Sequence, residues 1–275
     1  MRDLRIIDGR MDMRKRLFYI VSVCILLLAG CASQDRQETG DTDVNPVVSE
    51  DIVRNSAEKD SAAKEEQESE AQSPQLLYMG QASMRIVTAE NKVIYIDPYA
   101  GDDYDFPADL VLVTHAHFDH SAVDKVQNKA SDCQVITHEE AIQDGKHQTF
   151  ELPYVTVEAV EAGYNEWHDV KQCVGYVLTF TNGKSIYVTG DTSTTRQMPQ
   201  LAEKKIDYAF FCCDGVYNMG IKEAEQCAEM VAAKHSIPYH NSTSDTGDMF
   251  DLELAEQFHA KNRMIVKPEE EIGIE

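Results

Sequence analysis

The feature that most constrains this chain is a short apolar run that ends in a cluster of histidines. Asp109-Leu110-Val111-Leu112-Val113 reads as a central strand, apolar on both faces. It leads directly into Thr114-His115-Ala116-His117-Phe118-Asp119-His120. Histidine and aspartate add little to a core, and each buried without a partner carries a desolvation penalty. A metal site accounts for them. The alternating His115-x-His117 places two imidazoles on one side of an extended segment, and the adjacent Asp119-His120 pair can face a second ion. The fold must therefore be one whose central strand opens at its carboxyl end into a ligand-bearing loop.

The 275 residues allow one sizeable domain with additions. Residues 1–31 form the first addition. Arg14-Lys15-Arg16 is a basic cluster, and Leu17 to Leu28 is an apolar stretch too short to span a bilayer comfortably. Met11 and Met13 stand just ahead of the basic cluster as alternative starts to Met1. The stretch ends in Leu28-Ala29-Gly30-Cys31 and resembles a bacterial lipoprotein signal peptide. That resemblance implies cleavage before Cys31, diacylation of its sulfur and an extracytoplasmic, lipid-anchored protein. Residues 32–75 contain no aromatic side chain and many Glu, Asp, Gln, Ser and Lys. Such a segment buries too little apolar surface to offset its ordering entropy and is expected to be a disordered acidic tether. Residues 76–275 form the expected domain. A formal net charge of −23 argues against nucleic acid as a partner. Beyond Cys24 and Cys31, Cys133, Cys173, Cys212, Cys213 and Cys227 are odd in number and irregularly spaced, which suits small buried apolar residues better than a disulfide framework.

Within the domain, strand signals dominate. A hairpin is expected from Ala82 to Asp97 and another around Asn182-Gly183. Further strands are expected at Gln134–Thr137, Tyr154–Ala162, Tyr208–Cys212, Ser236–Pro238 and Met264–Val266, and helices at Lys222–Lys234 and Leu252–His259. Additional ligand-type residues stand at strand ends: Asp97 before Pro98, Asp191 in Gly190-Asp191-Thr192, and His240 after Pro238-Tyr239. The loops holding Tyr164, Trp167, Tyr217 and Asn218 are expected to reach the same rim. His138 and His147 read as surface residues, and His235 and His259 as helical residues without a chemical role.

In order and spacing these motifs resemble the metallo-β-lactamase superfamily from Leu76 to the carboxyl terminus. Ala162-Gly163-Tyr164-Asn165, Gly175-Tyr176-Val177-Leu178 and Ile237-Pro238-Tyr239-His240 look most like the metal-dependent hydrolases related to ascorbate-6-phosphate lactonase. The resemblance implies an α+β fold, a four-layered αββα sandwich of two mixed sheets. It also implies two divalent ions, most often zinc, with manganese or iron in some members. Carried over residue by residue, His115 and His117 hold one metal, Asp119, His120 and His240 hold the second, and Asp191 bridges them. The third ligand of the first metal is His168, with Asn165 as the alternative, because some relatives carry histidine there. Asp97 stands behind a ligand histidine and fixes its tautomer. Two ions imply hydrolysis of an ester, lactone, amide or phosphodiester bond in a small molecule by a water deprotonated between them, Asp119 serving the catalytic proton transfer. Two other readings stand beside it: an iron-dependent redox enzyme of the same fold, and a lipoprotein that binds metal without catalysis.

Overall fold

A computed structural model describes residues 73–275 except 245 and 248. The leader with Cys31, and the tether through residue 72, lie outside the described residues. In chain order the strands begin with β1 (Gln75–Gly80), β2 (Ser83–Val87), β3 (Val93–Ile96), β4 (Ala108–Leu112) and β5 (Lys129–Ile136). A short helix α1 (His138–Ala141) and a small hairpin, β6 (Ile142–Gln143) and β7 (Lys146–His147), follow. Then come β8 (Thr149–Leu152), β9 (Val155–Glu161), β10 (Val174–Phe180), β11 (Ser185–Val188), α2 (Met198–Leu201), β12 (Tyr208–Cys212), α3 (Ile221–Val231) and β13 (His235–Tyr239). After α4 (Leu252–Glu256), β14 (Glu271–Gly273) closes the chain.

These elements build two six-stranded sheets, ordered β14-β1-β2-β3-β4-β5 and β13-β12-β11-β10-β9-β8. Both are mixed. The first turns from antiparallel to parallel at β3/β4/β5, the second at β11/β12/β13. Alternation along the strands explains the packing. Ile94, Ile96, Leu110 and Leu112 face the core shared with Tyr176, Leu178 and Ile186 of the second sheet. Their neighbours Val93, Tyr95, Val111 and Val113 form a second cluster with Tyr104 and Val126. Strands apolar on both faces are therefore covered on both faces. The outer cover of the first sheet is loop plus one 3₁₀ turn (Val123–Lys125), and α3 lies against β12 through the buried Ala224, Cys227, Ala228 and Val231. The result is the expected α+β sandwich with thin outer layers.

The two expected hairpins are present. Val87 pairs with Val93 around a turn in which the Thr88 hydroxyl accepts from the Glu90 and Lys92 amides. Thr179 pairs with Ser185 around Asn182-Gly183, with Gly183 at φ +77°. Several boundaries differ. Met264–Val266 is not a strand: Ser236 bridges Arg263 and accepts from the Met264 amide, then the chain turns away to feed β14. Helix α3 stops at Val231 because Ala232 enters the left-handed region, and α4 stops at Glu256. His235 opens β13, stacked on Tyr208 at 4.7 Å, and is not helical. Gln75, the last residue assigned to the tether, already pairs with Val87 and Gly273, so the ordered sheet starts one residue earlier. Cys173, Cys212, Cys213 and Cys227 are buried and Cys133 partly so, all as free thiols. Among the described residues no helix is long and apolar enough to cross a membrane.

Parallel pairing sets the place of the site. The carboxyl ends of β3, β4, β11, β12 and β13 lead into Asp97, Thr114, Asp191, Asp214 and His240, and these residues gather at one rim. Backbone hydrogen bonds tie the sheets together there: Val174 N–H to Thr114 C=O at 3.0 Å and His240 N–H to Gln81 C=O at 3.1 Å.

Candidate metal centre

One carboxylate shapes the histidine loop. Asp97 is wholly buried, and its Oδ1 accepts the Thr114 backbone N–H at 2.7 Å. Its Oδ2 accepts the Thr114 hydroxyl at 2.7 Å and Nδ1 of His120 at 2.8 Å. The two ends of the loop are thus pinned to one side chain. With its proton committed to Asp97, the Thr114 hydroxyl accepts from Nδ1 of His115 at 3.1 Å. His168 is backed in the same way by Oδ1 of Asn165, 3.0 Å from its Nδ1. Nδ1 of His240 lies 3.6 Å from Asp214 Oδ2, beyond hydrogen-bond reach and, among the described residues, without a hydrogen-bond partner. Three imidazoles, those of His115, His120 and His168, therefore have a hydrogen-bonded oxygen behind Nδ1 and turn Nε2 inward, the arrangement that fixes a ligand histidine in its metal-binding tautomer.

The inward atoms form three overlapping groups: His115, His117 and His168; His115, His120 and Asp191; and Asp119, His120 and His240. Within each group the ligand atoms lie within 4.8 Å of one another. Asp191 joins them. Its Oδ2 is 3.3 Å from His168 Nε2 and 4.0 Å from His115 Nε2. Its Oδ1 is 3.3 Å from His120 Nε2 and 3.4 Å from His240 Nε2. Asp119 Oδ2 lies 3.8 Å from His120 Nε2 and 3.7 Å from His240 Nε2. The turn that aims Asp191 requires glycine before it. Gly190 sits at φ +61°, and a Cβ there would stand 2.6 Å from the Val174 carbonyl oxygen. Gln81, Asp97 and His240 also occupy left-handed backbone, at φ +48°, +44° and +41°. Such backbone is costly for residues with a side chain and concentrates at functional sites.

The electrostatics call for positive charge. Burial alone would raise the carboxyl pKa of Asp191, yet His240 and His120 outweigh it and hold it well below the usual carboxylate range. Asp119 behaves alike: burial opposes its ionisation, but His240, His120 and Gln81 together lower its pKa. Burial, reinforced by neighbouring imidazoles, keeps His115 and His117 neutral. Burial also disfavours charge on His120 and His240, but the surrounding carboxylates overcome it and raise both. Among the described residues, no lysine or arginine pairs with Asp97, Asp119, Asp191 or Asp214. His115 Nε2 and Asp191 Oδ1 are buried without a hydrogen-bond partner. Imidazole nitrogens converging on buried carboxylate oxygens, with a nitrogen of His115 and an oxygen of Asp191 left unpartnered, are the donor set of a divalent cation site. The residues present fit a divalent metal ion.

The structure brings His115, His117, Asp119, His120, His168, Asp191 and His240 together and places Asp97 behind His120. His168, rather than Asn165, presents a nitrogen to the cluster; Asn165 stands behind it. Trp167 and Tyr217 line the cleft, whereas Tyr164 does not. Sequence reasoning passed over two residues. Gln81 donates to Asp119 Oδ2 at 2.9 Å, and its signal is a lone amide between Gly80 and Ala82 in an apolar stretch. Asp214 shares the amide of Asn218 with Asp191, at 2.8 and 2.9 Å. Its signal, an acidic residue and a glycine ending the apolar run Phe210–Cys213, repeats the pattern that revealed Asp191.

A two-sheet sandwich with this cluster at its strand ends defines a metal-dependent hydrolase of the metallo-β-lactamase superfamily. The Beta-lactamase superfamily domain matches residues 75–240. A UPF0173 metal-dependent hydrolase of Ligilactobacillus salivarius is 30% identical over 193 residues, which cover 61% of this chain and 85% of the relative. The chain belongs to the UPF0173 metal-dependent hydrolase family of this superfamily. Among solved structures, a protein described as a metal-dependent hydrolase from Parabacteroides distasonis superposes with a TM-score of 0.58 at 27% identity, covering 71% of this chain and 93% of the other. A metallo hydrolase from the archaeon Ignicoccus hospitalis shares the fold, with a TM-score of 0.57 at 20% identity over 74% of this chain and 99% of the other.

Proposed function

We propose that this chain is a binuclear hydrolase of a small molecule, acting on an ester, lactone, amide or phosphodiester bond. The observation that carries the reading is one buried carboxylate, Asp191, whose two oxygens face two separate sets of imidazoles. His115, His117 and His168 would hold one ion, Asp119, His120 and His240 the other, with Asp191 between them. Divalent ions held there, with zinc the first expectation, would polarise the scissile oxygen and lower the pKa of water toward neutrality. Asp119 faces the cleft and is steadied by Gln81, a position from which it would take a proton from the attacking water and return it to the leaving group. The likeness of the Tyr164-Asn165 and Tyr239-His240 segments to lactonase-related hydrolases makes lactones the first substrates to test.

Elemental analysis of protein purified without chelator should give close to two metal ions per chain. A screen of lactones, aryl esters, phosphodiesters and β-lactams should find hydrolysis that Asp119→Asn abolishes. Absence of transition metal would overturn the binuclear reading. Metal without hydrolysis would make the protein a metal-holding module, and iron with oxygen consumption would make it a redox enzyme.

We further propose an extracytoplasmic protein held at a bacterial membrane by lipid on Cys31. Support comes from Arg14-Lys15-Arg16, the apolar run to Leu28 and Leu28-Ala29-Gly30-Cys31, followed by a stretch, 32–75, whose sequence holds no aromatic residue. Two acyl chains anchor stably where one binds marginally, and an acidic chain gains no attraction from anionic headgroups. Mass spectrometry should find a lipidated amino terminus at Cys31, and Cys31→Ser should leave the membrane fraction or remain uncleaved.

A further inference from the structure

We infer that the site selects a substrate whose arm beyond the scissile bond is uncharged and apolar, received by a rim of Phe118, Trp167 and Tyr217. The inference rests on the hydrolase reading above. A cleft of about 470 Å³ opens over the metal cluster, with His117, Asp119, His168, Asp191 and His240 in its lining. The same lining carries three large aromatic side chains that remain 66% (Phe118), 52% (Trp167) and 46% (Tyr217) exposed. Exposed apolar surface gathered beside a pocket marks a binding surface more often than chance packing.

These rings are held at fixed reach of the cluster. The Trp167 backbone N–H donates to Asn165 Oδ1 at 3.0 Å, the oxygen that also backs His168. The Tyr217 N–H donates to Asp214 Oδ1 at 2.7 Å, and Asp214 faces His240. Phe118 stands between His117 and Asp119 and packs edge-on against Tyr99. Trp167 meets Tyr217 edge to face, centroids 5.5 Å apart. The residues that aim the imidazoles therefore also set the rim.

Charge decides the chemistry of the arm. Among the described residues no lysine or arginine lines the cleft, and the remaining lining is the neutral Gln81, Ser242, Thr243 and Ser244. A phosphate or carboxylate on the arm would find no cation beyond the metal floor. An aryl or alkyl arm would cover the three rings and gain from ring contacts.

The test holds the metal-binding head constant and varies the arm. Acetohydroxamate, benzohydroxamate and 4-carboxybenzohydroxamate are titrated into the metal-loaded protein, followed by calorimetry and by emission of Trp167, the chain's single tryptophan. Benzohydroxamate should bind roughly tenfold more tightly than acetohydroxamate, the scale of aromatic contacts. It should shift the tryptophan emission, and the added carboxylate should erase the gain. Tyr217→Ala and Trp167→Ala should shrink the ratio between the first two ligands, and Trp167→Phe should keep it. Equal affinity for all three, or tighter binding of the carboxylate, would overturn the inference and leave the metal reading standing. No hydroxamate binding at all would overturn the metal reading and this inference with it. A concentration-dependent dimer that buries Trp167 would reassign the rim to self-association.

Discussion

Replacing Asp97 with asparagine separates what this carboxylate does for the fold from what it does for the metal. The side chain accepts from three donors: the Thr114 amide, the Thr114 hydroxyl and His120 Nδ1. Asparagine keeps one acceptor oxygen and adds a donor. With the oxygen toward His120, the new NH2 meets the Thr114 N–H. With the NH2 toward His120, the imidazole must move its proton to Nε2, the nitrogen that faces Asp191 at 3.3 Å. The first arrangement leaves a buried donor unpaired, at about 1–3 kcal/mol. A domain of this size then melts roughly 2–12 °C lower. The second arrangement blocks a ligand, and changes behind a ligand histidine typically cost ~10–100-fold in metal affinity. Metal-stripped Asp97→Asn should therefore either melt lower by that amount or, by chelator competition, bind metal at least about tenfold more weakly. Metal affinity within twofold of the parent together with an unchanged melting temperature would refute the reasoning.

Three further outcomes are expected. His168→Ala should lower occupancy of the first site by roughly tenfold or more, and Asn165→Ala by less, because the histidine offers the nitrogen and the asparagine only steadies it; metal analysis reporting the reverse ranking would exchange their roles. Gly190→Ala should destabilise the protein by at least about 1–3 kcal/mol, since it combines left-handed backbone with a Cβ against the Val174 carbonyl, and thermal melts with metal content report both effects. Metal uptake should strengthen as pH rises above the ordinary histidine value of about 6.5: His120 and His240 have raised pKa values, so each holds a proton that a cation must displace, whereas the depressed His115 and His117 add no such competition there. Calorimetry in two buffers of different ionisation enthalpy should detect the released protons, and pH-independent affinity between 6 and 8 would contradict the assignment.

Much of the centre was legible because its ligands follow strand-ending patterns. His115 to His120 leave an unbroken apolar strand, Asp191 follows a glycine whose conformation few other residues could adopt, and Asp97 and His240 end strands beside proline or a short apolar run. Local sequence could not rank His168 against Asn165. Both lie in one turn, and only the folded loop decides which side chain faces inward and which accepts three hydrogen bonds behind it. Gln81 was invisible for a related reason. Its role depends on Asp119, 38 positions away, and on a left-handed turn between β1 and β2. The sheets were read well where strands are central and apolar on both faces. They were read poorly at the edges: β8 and β14 are short with mixed burial, and Met264–Val266 has apolar residues without a partner strand to complete.

The seam between the sheets has a consequence for how the protein matures. His115, His117, Asp119 and His120 follow β4 of the first sheet, while His168, Asp191 and His240 belong to the second half of the chain. Each proposed ion therefore takes donors from both halves and closes a loop of scores of residues. A cation held this way acts as a rivet through two plates. It cannot set until both plates exist and have docked, because neither half alone offers a full set of donors. On the proposed ligand sets, metal capture would report completed folding, and bound metal would stabilise the docked sheets against unfolding. The proposed reactive centre would then also be the lock on the protein's own tertiary structure.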